Sequence, residues 1–508
     1  MKMKWIVSGL LLVLLFRPGI YAQKKLSLED CQRLAIERNE KLKIAQEQNG
    51  AATALRKAAF TQYLPNFSAN GSYIRTNKPL SLFGEDKFLP IIPFNAIDAQ
   101  TGGINQQAFS DPAIAPTFLV FDAQGAPVFD QSGNPVFKQY VYLPEEEGKL
   151  GSKNIFVGQI GFVQPIFTGF KIREINRIAA YAERVAEQNQ VYETSELLHK
   201  VEASFWQLIS LEERQKLAQT YLSLLDNLSN DIQNLYDEGF VTKNDLLKVG
   251  VKKNDAQLTL FKVDQGIKLS KMALNQLIGL ELDDQIELLP AEADSLIVCN
   301  QQQLYSSARE NRPELLMLEQ QINIAHSASN IMKSRYMPDL AASVNYVVSN
   351  PNPYQGFEEE FGGDFNAGIV LHVPLFHWGE KNHTLRAARH EERVAELELK
   401  EASEMIRLEV AQAFFAWQES LERLKLTKNS LAQAEENLRV NEDNYAEGLI
   451  NTSDLLEAQT LWQQAASELI SARNEQWICV SRLKKVDGSL GLSFSHEKAI
   501  GDLTKKDI

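Results

Sequence analysis

The sequence predicts a mainly α-helical protein with a smaller share of membrane-type β-structure, built as two tandem repeats of a β-hairpin followed by long coiled-coil helices. Three observations predict it: where the prolines fall, where apolar residues alternate, and a match of the chain to itself 209 residues on.

All 17 prolines fall at or before Pro374, and none occurs from Ile166 to Leu289 or after Leu375. Proline lacks the amide donor and clashes with the preceding turn, so proline-free tracts rich in Ala, Leu, Glu and Gln read as long helices. In the second tract Val410, Trp417, Leu424, Leu431, Leu438 and Tyr445 recur every seven residues, the spacing of a left-handed supercoil. In the first, Leu217, Tyr221, Leu224, Leu228, Ile232 and Leu235 step by three and four. Both stripes are coiled-coil seams and belong to the core.

Four segments alternate instead with period two, the pattern of strands with one apolar face. They run through Phe67–Tyr73, Phe156–Phe162, Leu340–Val348 and Phe365–Val373, each about the length of a tilted membrane strand.

The repeat is plainest in Glu183-Arg184-Val185-Ala186-Glu187, which recurs letter for letter as Glu392-Arg393-Val394-Ala395-Glu396. At the same offset Phe205 meets Phe414, Tyr236-x-Glu238-Gly239 meets Tyr445-x-Glu447-Gly448, and Asp245-Leu246-Leu247 meets Asp454-Leu455-Leu456. Such a match marks a tandem duplication. Upstream, Tyr63-x-Pro65 meets Tyr336-x-Pro338 at an offset of 273, so the first hairpin holds 64 more residues. That excess reads as one long loop at the strand tips.

These signals set the expected boundaries. The first repeat covers 23–300, with a helix, a hairpin whose loop is 77–153, a long helix 168–236, a return helix 242–279 and a connector. The second covers 301–488, with a helix, a hairpin 338–374, a long helix 378–446 and a return helix 452–486, and a tail 489–508 follows.

The first 22 residues read as a secretory signal peptide: Lys2 and Lys4 precede an apolar run from Ile6 to Phe16, and Ala22 offers a small residue for cleavage. Without Lys2, Lys4 and Arg17, 49 basic residues face 66 acidic ones, a formal charge of −17 that disfavours nucleic acid as a partner. Cys31, Cys299 and Cys479 are odd in number and show no metal-type pairing, so neither a disulfide framework nor a metal cluster is indicated. His372, His377, His383 and His390 lack the i, i+4 spacing of common helical zinc sites. No metal, cofactor or catalytic constellation is assigned, and the chain reads as no enzyme.

Four strands cannot close a barrel, since about eight is the smallest number whose interior can be filled. If the strands span a membrane, several copies must assemble, and the helices must continue the barrel as a tube. The competing reading is a soluble periplasmic coiled-coil adaptor or structural protein, which accounts for the helices but not for the strands.

Signal peptide, repeat, hairpin-then-helix order and glycine-centred breaks together resemble the TolC family of outer-membrane efflux proteins. The most specific pieces are Gln164-Pro165-Ile166-Phe167-x-Gly169, Asn311-Arg312-Pro313-Glu314-Leu315, and Tyr-x-x-Gly followed by Asp-Leu-Leu in both halves. The resemblance implies a homotrimer with a 12-stranded barrel in the outer membrane of a Gram-negative cell and an α-helical periplasmic tunnel. It implies a passive export conduit of a tripartite efflux or type I secretion system. Its partners would be a periplasmic adaptor (membrane fusion) protein and an inner-membrane pump, of the resistance-nodulation-division or ABC transporter class. The substrate would be selected by that pump.

By the same resemblance, Tyr445, Asp454 and Glu457, with Asp245 in the first half, stand where the family has its channel gate. Asp454 and Glu457 are three apart and share a helix face, so three copies would form two carboxylate rings that favour cations and carry partly raised pKa values. Lys248 stands in the first half where Glu457 stands in the second, and Ile450 replaces a residue that is often basic. A solvated acidic face is the plainer alternative. Gly239, Phe240 and Val241, with Gly448, Leu449 and Ile450, form the turns expected to dock the adaptor; as ordinary helix breaks they need only the glycines.

Overall fold

A computed structural model describes residues 24–150, 152–289 and 300–491. The expected signal peptide, Cys299 and most of the tail lie outside these. In chain order the strands are β1 (Lys24–Leu26), β2 (Asn66–Arg75), β3 (Leu80–Ser81), β4 (Lys87–Pro90), β5 (Tyr140–Leu143), β6 (Lys149–Leu150), β7 (Asn154–Thr168), β8 (Ile286–Leu288), β9 (Asp339–Asn350) and β10 (Gly362–His372). The longer helices are α1 (Leu28–Arg38), α2 (Glu40–Phe60), α3 (Lys171–Asp237), α4 (Lys243–Ile278), α5 (Gln301–Asn311), α6 (Pro313–Ser334), α7 (Glu380–Ala446) and α8 (Thr452–Val486). They form two units: a helical one made of the described residues up to Thr61, Phe170–Arg335 and those from Phe376, and a β unit of 62–169 and 336–375.

In the helical unit α3 and α7 are each 67 residues long, roughly 100 Å of helix. They begin at matching places, behind left-handed residues: Phe170 at φ 70° in one repeat, Trp378 at 46° and Gly379 at 82° in the other. α4 folds back on α3 and α8 on α7, while α8 also packs against α3, giving a layer in the order α4, α3, α8, α7. Further along α3, the order is α2, α3, α6, α7. The seams supply the core. Val410, Trp417, Leu438, Tyr221, Leu228 and Ile232 are buried, Leu424 and Leu431 only partly. In the first tract Leu225 is fully buried and Leu224 only half.

The two outer helices of this layer keep an apolar stripe in solvent. On α4 it comprises Leu247, Val251, Leu258, Phe261 and Leu269; on α7 it comprises Leu397, Met405, Leu408, Phe415 and Leu426. Apolar stripes this long on the rim of a helical layer mark a surface that another body covers.

A short parallel pair, β1 with β8, joins two segments that no sequence pattern had marked as strands. Its buried Leu26, Ile286 and Leu288 close the core formed by Cys31, Leu42, Val201, Phe205, Leu274 and Ile278.

The β unit is organised by one four-stranded antiparallel sheet in the order β10, β9, β7, β2. Both edges are bare: every residue of β2 is exposed, and so is nearly all of β10. β7, at 15 residues, is longer than the nine to eleven expected, and it carries Pro165 inside it. Its pairing with β2 stops at Val163, so Pro165 lies where only β9 flanks the strand, next to a register shift between Pro165 and Phe167. A missing amide is tolerated at such a place.

The segment 77–153, expected to be one long loop, is instead folded. Two small strand pairs, β3 with β6 and β4 with β5, form its stem. Beyond them Ala96, Ala108, Ala115, Phe118 and Leu119 make a separate buried core, packed by Phe109, Phe121 and Phe137. An eight-residue motif runs twice, Val120-Phe121-Asp122-x-x-Gly125-x-Pro127 and Val128-Phe129-Asp130-x-x-Gly133-x-Pro135, and begins a third time at Val136-Phe137. Val128 N–H donates to Val120, Val136 to Val128 and Val120 to Val136, closing a ring of three backbone hydrogen bonds at 2.8–3.0 Å. Asp122 and Asp130 each accept two amides of their own turn. With these bonds made locally, the segment orders itself without long strands.

Candidate functional site: the paired helix-hairpin tips

Each repeat ends its long helix in the same way. Gly239 (φ 83°) and Gly448 (φ 72°) take the left-handed conformation, with open space where a Cβ would stand. Phe240 N–H donates to Leu235 C=O at 2.8 Å and Gly239 N–H to Tyr236 C=O at 2.9 Å; in the other half Leu449 donates to Asn444 and Gly448 to Tyr445. This reciprocal pair satisfies the last carbonyls of the helix. The next helix opens on a capping box, Thr242 with Asp245 in α4 and Asn451 with Asp454 in α8. The turns are therefore fixed by local hydrogen bonds, and they leave Phe240 77% and Leu449 73% exposed.

Both tips rest on one core of Tyr221, Leu225, Leu228, Ile232, Val249, Leu438, Leu455 and Leu456, with Val241 and Ile450 packed partly against it. Lys248 Nζ donates to Ser453 Oγ at 2.9 Å, tying α4 to α8. A residue that breaks the symmetry of the repeats thus holds the two hairpins together.

The acidic residues singled out in the sequence do not meet at one point. Asp245 and Tyr445 line a cup of about 1040 Å³ between the tips, together with Asp231, Glu442, Asn227, Asn234 and Asn451. The Tyr445 hydroxyl is buried there without a hydrogen-bond partner among the described residues. Glu457 lies elsewhere, exposed on a groove of about 630 Å³ between α4 and α8 beside Leu247, Lys248, Val251 and Leu461. Asp454, also exposed, accepts the Asn451 amide at 3.3 Å and so serves its own helix start.

Electrostatics divide these carboxylates further. The Thr242 hydroxyl and amide hold Asp245 below the usual carboxylate range, and Lys248 adds to the effect. Glu442, by contrast, is pushed up by burial and by Asp443. Glu442 and Asp231 had not been singled out; the three-residue step from Glu442 to Tyr445 was the available signal, hidden because the matching first-half position is Gln233. Among the described residues no group of three or more His, Cys, Asp or Glu is placed to hold a metal. Cys31 and Cys479 are free and buried, and burial pushes the Cys31 thiol up to about 12, where it is an inert core residue.

Long paired helices with glycine-broken tips and a four-stranded sheet, in a duplicated chain, have counterparts among known proteins. Residues 304–489 match the family described as Outer membrane efflux protein. The matched residues run from within α5 to the end of α8 and take in the second hairpin, nearly the whole second repeat. Solved structures match over both repeats: the outer membrane protein VceC of Vibrio cholerae at 15% identity and TM-score 0.66, covering 91% of this chain and 96% of that one. The CmeC outer membrane channel of Campylobacter jejuni matches at 14% and 0.67, covering 91% and 85%, and the MtrE outer membrane channel of Neisseria gonorrhoeae at 15% and 0.65, covering 91% and 89%. No curated protein is matched by sequence. The expected fold class, helices and strands in this arrangement, is the one these structures share.

Proposed function

We propose that the chain is the outer-membrane channel of a tripartite efflux or type I secretion system, a passive conduit that works as a homotrimer. The observation that carries this reading is the four-stranded sheet with both edges bare. Three copies joined edge to edge, β2 of one to β10 of the next, give twelve antiparallel strands with no edge left, the condition for a sheet to sit in lipid. The helical unit supports the same operation independently, since its rim helices α4 and α7 carry the exposed apolar stripes. No helix among the described residues is long and apolar enough to cross a membrane, so a span would fall to the strands.

In this reading the hairpin tips face the periplasm, and Phe240 and Leu449, presented on hydrogen-bonded turns, meet a periplasmic adaptor that joins the channel to an inner-membrane pump. Asp454 and Glu457, three apart on one face of α8, form carboxylate rings in the trimer, while Tyr445 and Asp245 lie behind them in the cup. Lys248, bridging α4 to α8 at Ser453, acts as the latch between hairpins that Ile450 does not supply.

The experiment is fractionation followed by conductance. The protein is expected in the outer-membrane fraction as a heat-dissociable oligomer that gives stepwise currents in planar bilayers. Asp454→Ala with Glu457→Ala should raise conductance and weaken cation preference. A detergent-independent soluble protein would refute the channel reading in favour of a coiled-coil adaptor, and unchanged selectivity in the double variant would remove those residues from the constriction.

A further inference from the structure

The two bare edges of the sheet carry opposite charge at the same end. β2 finishes at Arg75, and Thr76 then ties the tip together: its N–H donates to Lys153 C=O at 2.8 Å and its hydroxyl to Lys78 C=O at 2.9 Å. Arg75, Lys78 and Lys153 are thereby gathered around one residue. All three are exposed, and among the described residues none forms an ion pair.

At the other edge, the turn between β9 and β10 presents Glu358, Glu359 and Glu360, all exposed. From Asp339 to His372 this hairpin contains no Lys or Arg. The turn is built around Asn352, which is 4% exposed: its N–H donates to Glu358 C=O at 2.9 Å, Phe357 N–H donates to its carbonyl at 2.9 Å, and its side chain accepts from Tyr354 N–H at 3.1 Å. The three glutamates are thus held on a fixed turn.

The register places both clusters at one end of the sheet, since Arg75 pairs with Asn154, Phe156 with Asn350 and Ser349 with Gly362. Within one chain, however, Arg75 ends the edge strand β2, three strand spacings or about 14 Å from β10 and beyond reach of an ion pair, and Lys78 follows it, whereas Lys153 leads into the inner strand β7 beside β9. Joining copies through β2 and β10 brings the basic tip of one beside the acidic tip of the next. We propose that Arg75 and Lys78 of each copy clasp Glu358–Glu360 of its neighbour, an interaction surface at the loop end of the barrel whose partner is a second copy of this chain. The clasp rests on the trimer reading and adds to it what selects the copy-to-copy register. Bare edges are open to slippage, whereas opposite charges at the tips favour the aligned joint and like charges penalise a reversed one.

The test is a charge swap in the full-length protein, in three variants: Arg75→Glu with Lys78→Glu, Glu358→Lys with Glu360→Lys, and all four together. The readout is the temperature at which the oligomer dissociates on mild-detergent gels. Each reversal should lower it by several degrees, the fourfold variant should regain most of the loss, and 0.5 M salt should shrink the difference. Additive losses in the fourfold variant, or no change in any, would overturn the clasp. A loss confined to the Arg75 and Lys78 reversals and not rescued would assign those cations to anionic lipid headgroups, which also overturns it. A wild-type protein that is monomeric by native mass spectrometry would remove the trimer reading itself, whereas an intact trimer indifferent to all three variants would remove the clasp alone.

Discussion

Glu183 in the first repeat and Glu392 in the second are the same glutamate in the same pentapeptide, yet different partners hold them. Arg56 of α2 bonds to Glu183, while His326 of α6 bonds to Glu392 at 2.7 Å. The duplicated long helices kept their surface; the helices that lie against them changed. Arg56 keeps Glu183 below the usual carboxylate range, so that bridge is charged at any physiological pH. The His326 bridge is an ion pair only when the imidazole is protonated. Lys248 and Glu457 show the same divergence at the tips, one base and one acid at matching positions. The lesson is that the repeat preserves the scaffold and concentrates its differences where the two halves meet a neighbour.

The largest effect that would sharpen this comparison is in the core. Phe205 is fully buried, whereas its counterpart Phe414 is only partly so. Phe205→Ala should cost about 3–5 kcal/mol and Phe414→Ala about half as much, read from denaturant midpoints of the helical signal. Equal costs would mean that the second half is as enclosed as the first.

At the tips the halves should behave alike. Gly239→Ala and Gly448→Ala each force a side chain into left-handed backbone with no clash to add, so each should cost about 1–2 kcal/mol. A marked difference between them in thermal midpoint would show that one turn is held by more than its own hydrogen bonds.

The smallest effect is in the glutamate pairs, both partly exposed and each worth about 1 kcal/mol or less. Glu183 has a lowered pKa, so its contribution is present above its unfolded value and lost only as pH falls through the folded one. Glu183→Gln should therefore cost the same at pH 5.5 and pH 8. A Glu183→Gln cost that differed between these two pH values would contradict the Arg56 partner.

Much of the fold was legible because its causes are local. Absence of proline marks α3, α4, α7 and α8, period-two alternation marks β2, β7, β9 and β10, and glycine with Thr242 or Asn451 marks the tips. The folded segment 77–153 was not legible, since its core rests on an eight-residue motif too short to give helical or strand periodicity. β1 and β8 were missed because three-residue strands from remote segments leave no pattern. In the tip region, spacing showed that Asp454 and Glu457 share a face. It could not show that Asp245 and Tyr445 line a different cavity from Glu457, which depends on how two hairpins pack.

In the proposed trimer the two bare edges of each four-stranded sheet are closed by two further copies. Native mass spectrometry of the detergent-extracted, full-length protein tests this most directly. Three copies per particle is the predicted result, and a particle of one or two copies would contradict it.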